Sequence, residues 1–299
     1  MQSNLNFGLF KTDFIYQDKS NLQTSSSLKT LIREKPTWQW NFDFISLYRQ
    51  GKDTWPMTPV QGIEKISNIT WPHPHISSSF LNLLDLHFNR MTCHSINLAI
   101  SGGLDSQVLA LYARDKGFHV NAYYLQTNID GYCESQQVQK FCNYHSIEYI
   151  QIETDYLEFI QSLPSFLEKV ECPIYNLHPV SKWILAREIS KLGVTQIYSG
   201  DGADQSFAGS EFCDLFFLTK QCFEHFNVEL ITPLANWPLL LWANENGPFL
   251  NKEPLRNWAH LKWQIGSEKK KPSYFPDKRF GFDSYNQSLD ILRRSLCAP

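Results

Sequence analysis

From residue 81 onward the apolar positions alternate between two rhythms. Residues 81–88 carry helical spacing, and a short apolar run, 96–100, has the length of a buried strand. Helical spacing returns over 106–116, where Gly117 supplies a C-terminal stop. The same alternation predicts a strand over 120–125, a helix over 133–144 and a strand over 148–152. Helices follow at about 155–162 and at 181–191, the second ending before Gly193, and a strand at 196–198 leads into another glycine-rich loop. Strands alternating with helices predict an α/β fold, a largely parallel sheet with helices on both faces. Beyond about residue 205 the chain reads as helical and aromatic-rich, cut into short helices by Pro233, Pro238, Pro248 and Pro254.

The first 90 residues follow neither rhythm for long. Short apolar pieces at 7–10 and 38–44 sit among Ser, Asn and Pro clusters, which suits short strands and loops. The expected division is therefore a small β-rich part over 1–90 and an α/β part over 91–299.

Composition narrows the classes of partner. The 299 residues include 42% hydrophobic and 19% charged side chains with a formal net charge of −3, an ordinary globular balance that gives no electrostatic reason to expect nucleic acid. No apolar run has the length of a membrane span, and Met1 to Asn6 lacks the basic and apolar regions of a signal peptide. Seven cysteines without a Cys-x-x-Cys pair suggest neither zinc nor a disulfide framework, and predict reduced thiols in a cytoplasmic protein. His73 and His75, either side of Pro74, offer two metal-ligand side chains but read more readily as solvated loop residues.

Two glycine loops carry the candidate chemistry. Ser101-Gly102-Gly103-Leu104-Asp105-Ser106 lies between the predicted strand that contains Leu98 and the helix after it. Glycines there let the backbone approach a ligand, and N–H groups at a helix start favour an anion such as phosphate. Ser101 and Ser106 add hydroxyls, and Asp105 can hold magnesium against the same phosphates. The string is neither the Gly-Lys-Ser/Thr loop of nucleoside triphosphatases nor the dinucleotide fingerprint. About a hundred residues later comes Ser199-Gly200-Asp201-Gly202-Ala203-Asp204. In a parallel sheet both loops emerge at the C-terminal strand ends, where ligands bind. Asp105 and Asp204 on separate loops then suit one hard cation shared with phosphate oxygens.

Ser-Gly-Gly-Leu-Asp-Ser after a strand resembles the pyrophosphate loop of the ATP pyrophosphatase superfamily. Together the two loops resemble the asparagine synthetase C-terminal domain family, which includes β-lactam synthetases and lasso-peptide cyclases. Val228-Glu229-Leu230-Ile231-Thr232-Pro233, Lys252-Glu253-Pro254-Leu255-Arg256 and the basic run Lys269-Lys270-Lys271 extend the match over roughly 91–280. The resemblance implies ATP and magnesium as cofactors. It places Leu98, Ser101, Gly102, Gly103, Asp105, Ser106 and Gly200 with the nucleotide, and Asp105 and Asp204 on the metal. It makes Glu229 the acid that orients a base for the attacking amine; Asp201, where the relatives carry tyrosine or glutamate, is an acid between two glycines that can form a proton-handling pair with it. Lys271 or its neighbour Lys270 matches the lysine that stabilises the acyl-adenylate.

Several positions depart from the family pattern. Gln205 replaces the usual glutamate, Ala208-Gly209-Ser210 replaces Gly-Gly-Tyr, and Ile231 and Asn236 replace an arginine and an acid. Gln2 stands where the relatives' glutaminase domain has its catalytic cysteine, whereas Thr58-Pro59-Val60-Gln61-Gly62-Ile63 resembles the end of that domain. Residues 1–90 are thus expected to be a truncated, inactive remnant. The implied activity is adenylation of a carboxylate, release of pyrophosphate and acyl transfer to an amine, in tailoring or cyclising a peptide or specialised metabolite. A precursor peptide or partner enzyme is the implied partner, with no nucleic acid and no membrane. The alternatives are ammonia-dependent amidation of the asparagine synthetase kind, action on transfer RNA, and a homologue that binds nucleotide or peptide without turnover.

Overall fold

The computed structural model describes residues 15–33, 35, 37–50, 56–66, 79–89, 91, 93–207, 214–266 and 275–297. Near the N-terminus, strands β1 (Ile15–Asp18), β2 (Thr24–Ser25) and β3 (Ile63–Ile66) pair antiparallel in the order β2-β1-β3. Short strands are therefore present, but not at the apolar pieces expected: 7–10 lies outside the described residues, 38–44 runs into a helix, and two helices, α1 (Leu28–Arg33) and α2 (Phe42–Arg49), join the strands. At six and eight residues these helices are too short to leave a periodic signature in the sequence. Asn41 starts α2 by accepting the Phe44 N–H at 3.2 Å.

Helix α3 (Phe80–Phe88) leads into the central sheet. Its strands are β4 (Ser95–Ala99), β5 (His119–Thr127), β6 (Glu148–Thr154), β7 (Gln196–Ser199) and β8 (Glu229–Ile231). All four pairings are parallel, and the spatial order is β6-β5-β4-β7-β8. The connecting helices are α4 (Leu104–Asp115), α5 (Ser135–His145), α6 (Tyr156–Val170), α7 (His178–Lys191), α8 (Ala203–Phe207) and α9 (Asp214–His225). The C-terminal part adds α10 (Trp237–Asn246), α11 (Glu253–Trp263) and α12 (Ser284–Cys297).

Side-chain alternation shows why the sheet is covered twice. On β5, Val120, Ala122 and Tyr124 join a core with Ile96 and Leu98 of β4, residues of α4 and α5, and Leu239, Leu255 and Ala259 from the C-terminal helices. Tyr123, between two of those positions, faces the opposite core with Leu185, Ala186 and Ile189 of α7 and Phe223 of α9. The predicted α/β architecture with helices on both faces, a helical C-terminal part and a small β-rich N-terminal part is the one observed. Among the described residues, no helix is long and apolar enough to cross a membrane.

One element outruns its expected length. Helix α6 continues through Pro164 to Val170, although a proline removes one helical hydrogen bond. Phe159, Leu163, Phe166, Leu167 and Val170 are each at most 1% exposed, and burial of that face outweighs the break.

The N-terminal part is bound firmly to the rest. Leu28, Leu31 and Ile32 of α1 share a core with Leu292 and Leu296 of α12, while Phe44, Ile45 and Tyr48 of α2 enter the core built by α6 and α7. At the end of α6, buried Glu171 accepts hydrogen bonds from the Ser27 hydroxyl at 2.6 Å, the Leu28 N–H at 2.5 Å and the Lys29 N–H at 2.9 Å. A carboxylate thus caps the N-terminus of α1 from about 140 residues away.

Candidate active site

The two central strands, β4 and β7, pair at Leu98 with Tyr198 and Ala99 with Ser199. From β4 the chain winds outward one way to β5, and from β7 the other way to β8, so the strand order reverses between them. That crevice is where ligands bind in open α/β sheets. Both glycine loops open into it.

The first loop is latched by its own side chains. Ser106 Oγ accepts the Ser101 N–H at 3.0 Å and lies 3.1 Å from Ser101 Oγ, which accepts the Gly103 N–H at 3.2 Å. Both hydroxyls expected to face phosphate thus shape the loop. The Gly102 N–H donates to Glu134 Oε2, at 2.9 Å, just ahead of α5. Helix α4 begins at Leu104, two residues earlier than its sequence pattern predicts, which puts Asp105 in the first turn.

Gly200 holds the loops together by having no side chain. A Cβ there would lie 2.7 Å from both the carbonyl carbon of Asp105 and the nitrogen of Ser106, inside van der Waals contact. Gly202 has φ +93°, and its Cβ would meet that of Ala235 at 2.1 Å. Gly200→Ala is expected to pry the two loops apart, at a cost of about 1–3 kcal/mol in stability and with loss of nucleotide binding. A thermal melt paired with titration of magnesium ATP checks this; unchanged binding would show that the loops can separate without harm.

This contact brings Asp105 and Asp204 to a common cation, the ammonium of Lys252, at 2.5 Å and 2.9 Å. The donor set, two carboxylates from separate loops converging on one positive charge, fits a hard divalent cation such as magnesium. Lys252 belongs to the Lys-x-x-Leu-Arg segment, but its sequence position alone gave it no contact with either aspartate.

Beside these aspartates lies a second polar cluster. Asp201 pairs with Lys182 of α7 at 2.9 Å and accepts from the Ser199 hydroxyl at 2.7 Å. Burial acts to raise its carboxyl, yet Lys182 and Ser199 outweigh that and hold it below the usual carboxylate range. One turn before Lys182, His178 Nδ1 is 2.7 Å from the Tyr132 hydroxyl. Burial, helped by the Lys182 charge, pushes the imidazole down to about 4, so it is neutral at pH 7. Helical spacing of four residues puts His178 and Lys182 on one face, but nothing in the sequence aims that face at Asp201.

Other expectations are corrected. Glu229 does not meet Asp201: it pairs in register with Gln196 at the start of β7 and accepts from the Gln196 side chain at 2.7 Å. It therefore stands at the N-terminal edge of the sheet, opposite the glycine loops, because the motif sits at the beginning of β8 and not at its end. Leu98 is fully buried in the core under α4, so its side chain packs the sheet and does not reach the crevice. Asn236, in place of the family's acid, caps α10 by accepting the Leu239 N–H at 2.9 Å. Lys270, Lys271, Gln2, His73 and His75, and the Ala208-Gly209-Ser210 departure, lie outside the described residues.

A parallel sheet with a strand–glycine loop–helix unit at its switch point, facing a second glycine loop, defines an α/β protein with its candidate ligand site between β4 and β7. Residues 91–277 match the family model of asparagine synthase. The chain belongs to the asparagine synthase family, whose members are ATP-using ligases. Among solved structures, the NH3-dependent NAD synthetase from Campylobacter jejuni is 15% identical with a TM-score of 0.38, over 73% of this chain and 86% of that one. A predicted subunit of tRNA methyltransferase from Methanocaldococcus jannaschii is also 15% identical, with a TM-score of 0.33 over 62% and 93%. No curated protein matches the chain.

Proposed function

We propose that the protein is an ATP- and magnesium-dependent ligase that adenylates a carboxylate, releases pyrophosphate and transfers the acyl group to an amine. The observation that carries this reading is the convergence of Asp105 and Asp204 on one cationic centre, with Gly200 packed against the loop between β4 and α4. Those two carboxylates would hold the metal, which when bound neutralises charge on the triphosphate. The first loop and the start of α4 take the phosphates, and the crevice beyond β7 takes the acyl group. There the Lys182–Asp201 pair orients substrate, beside the neutral His178–Tyr132 pair. Asp201 stays ionised beside its lysine.

The nucleophile we favour is an amino group of a peptide or small-molecule substrate, which makes this a tailoring or cyclising enzyme working with a precursor peptide or a partner enzyme. Residues 1–90 serve in this reading as a remnant of a glutaminase-like domain that supports α6 and α12. Incubated with ATP, magnesium and a panel of amino-acid and peptide carboxylates, the protein is expected to release AMP and pyrophosphate. ADP and phosphate as the sole nucleotide products with an accepted substrate would overturn the assignment.

A further inference from the structure

Lys252 is placed with unusual care for a lysine. Its side chain is 5% exposed, while those of Asp105 and Asp204 are 24% and 33% exposed, so the ammonium lies beneath the two carboxylates. Asn251 and Lys252 both take left-handed backbone conformations, φ 51° and 59°, which non-glycine residues adopt at a cost. This pair of left-handed residues precedes α11, whose N-terminal flank Lys252 forms. Strain of this kind persists only where the surroundings fix it, and here the fixed product is a cation between two loops.

We propose that Lys252 is an internal counter-ion that reserves the Asp105–Asp204 pair for a divalent cation arriving with a triphosphate, and keeps out the free ion. The inference rests on the metal-binding role given above to the two aspartates. One ammonium balances half of the charge on the two carboxylates, and a free divalent ion entering the same space meets a buried positive charge. A triphosphate changes that balance. Its oxygens offer the ammonium strong charge-assisted hydrogen bonds, so the lysine can move from carboxylate to phosphate while the metal takes the carboxylates. Metal binding and nucleotide binding are then coupled, each improving the other by the same factor.

The test uses Mn2+ as the probe, with its paramagnetic resonance signal reporting the free ion, and the full chain. Wild type without nucleotide is expected to bind Mn2+ at least about tenfold more weakly than wild type with a non-hydrolysable ATP analogue, after subtracting the Mn2+ that the same analogue binds in protein-free solution. Lys252→Met is expected to bind Mn2+ without nucleotide about tenfold more tightly than wild type, a gain that Asp105→Asn removes from the double variant. Lys252→Arg, which keeps the charge, is expected to behave like wild type. A folded Lys252→Met protein with no gain would overturn the proposal. So would wild type binding Mn2+ equally well with and without the analogue, a measurement that needs no variant at all. If wild type takes up no Mn2+ even with the analogue, the metal-binding role of the aspartates fails, and the proposal falls with it.

Discussion

Asp105→Asn is expected to lower ATP-dependent pyrophosphate release by on the order of a thousandfold while leaving the fold intact. Asparagine has the shape of aspartate but no charge, so Lys252 and a divalent cation both lose one of their two anchoring carboxylates. Metal stabilisation of charge on a transferring phosphoryl group supplies several kcal/mol, and each 1.4 kcal/mol or so is a factor of ten in rate. The fold should tolerate the change because Asp105 sits partly exposed in the first turn of α4, above and not within the core. Pyrophosphate release at saturating and at limiting magnesium, with a circular dichroism melt alongside, makes the comparison. Turnover near the wild-type rate at limiting magnesium would remove Asp105 from the metal site, whatever became of Asp204.

The second large effect is on stability. Glu171→Ala is expected to cost about 2–4 kcal/mol, because it strips three donors of their acceptor in a buried place. Two of those donors are backbone N–H groups at the start of α1, which have no partner further back in the helix. Glu171→Gln should cost less, since its carbonyl oxygen still accepts. Denaturant unfolding of the three proteins, compared by midpoint at constant slope, orders them. An alanine variant as stable as wild type would show that α1 is held by its contacts with Leu292 and Leu296 alone.

Much of this architecture is legible in the amino-acid order, and the exceptions have physical causes. Buried strands such as β4 and β5 announce themselves because both faces are covered, so apolar residues run together between turn signals. The two glycine loops are legible for the same reason that they work: close backbone approach at Gly200 and the left-handed turn at Gly202 tolerate no side chain. Where a motif sits along its strand is another matter. Glu229 matches the family pattern, but only the pairing of Gln196 with Glu229 reveals which edge of the sheet it occupies. Lys252 meets Asp105 across 147 residues, and Lys182 meets Asp201 across 19, contacts that arise from tertiary packing and leave no local period to read. Helices α1 and α2 leave no mark in the sequence because one or two turns cannot establish a rhythm.

The serine latch in the first loop has a thermodynamic consequence. Because Ser101 and Ser106 already tie the backbone of residues 101–103 with their hydroxyls, the loop holds its curvature from its own covalent neighbours. A nucleotide docking there meets a mould and not a slack chain, and little of its binding free energy goes into freezing backbone torsions. What remains can be directed at the reacting phosphate, so loosening the latch should weaken the grip on the transition state even where no atom of the serines touches the ligand.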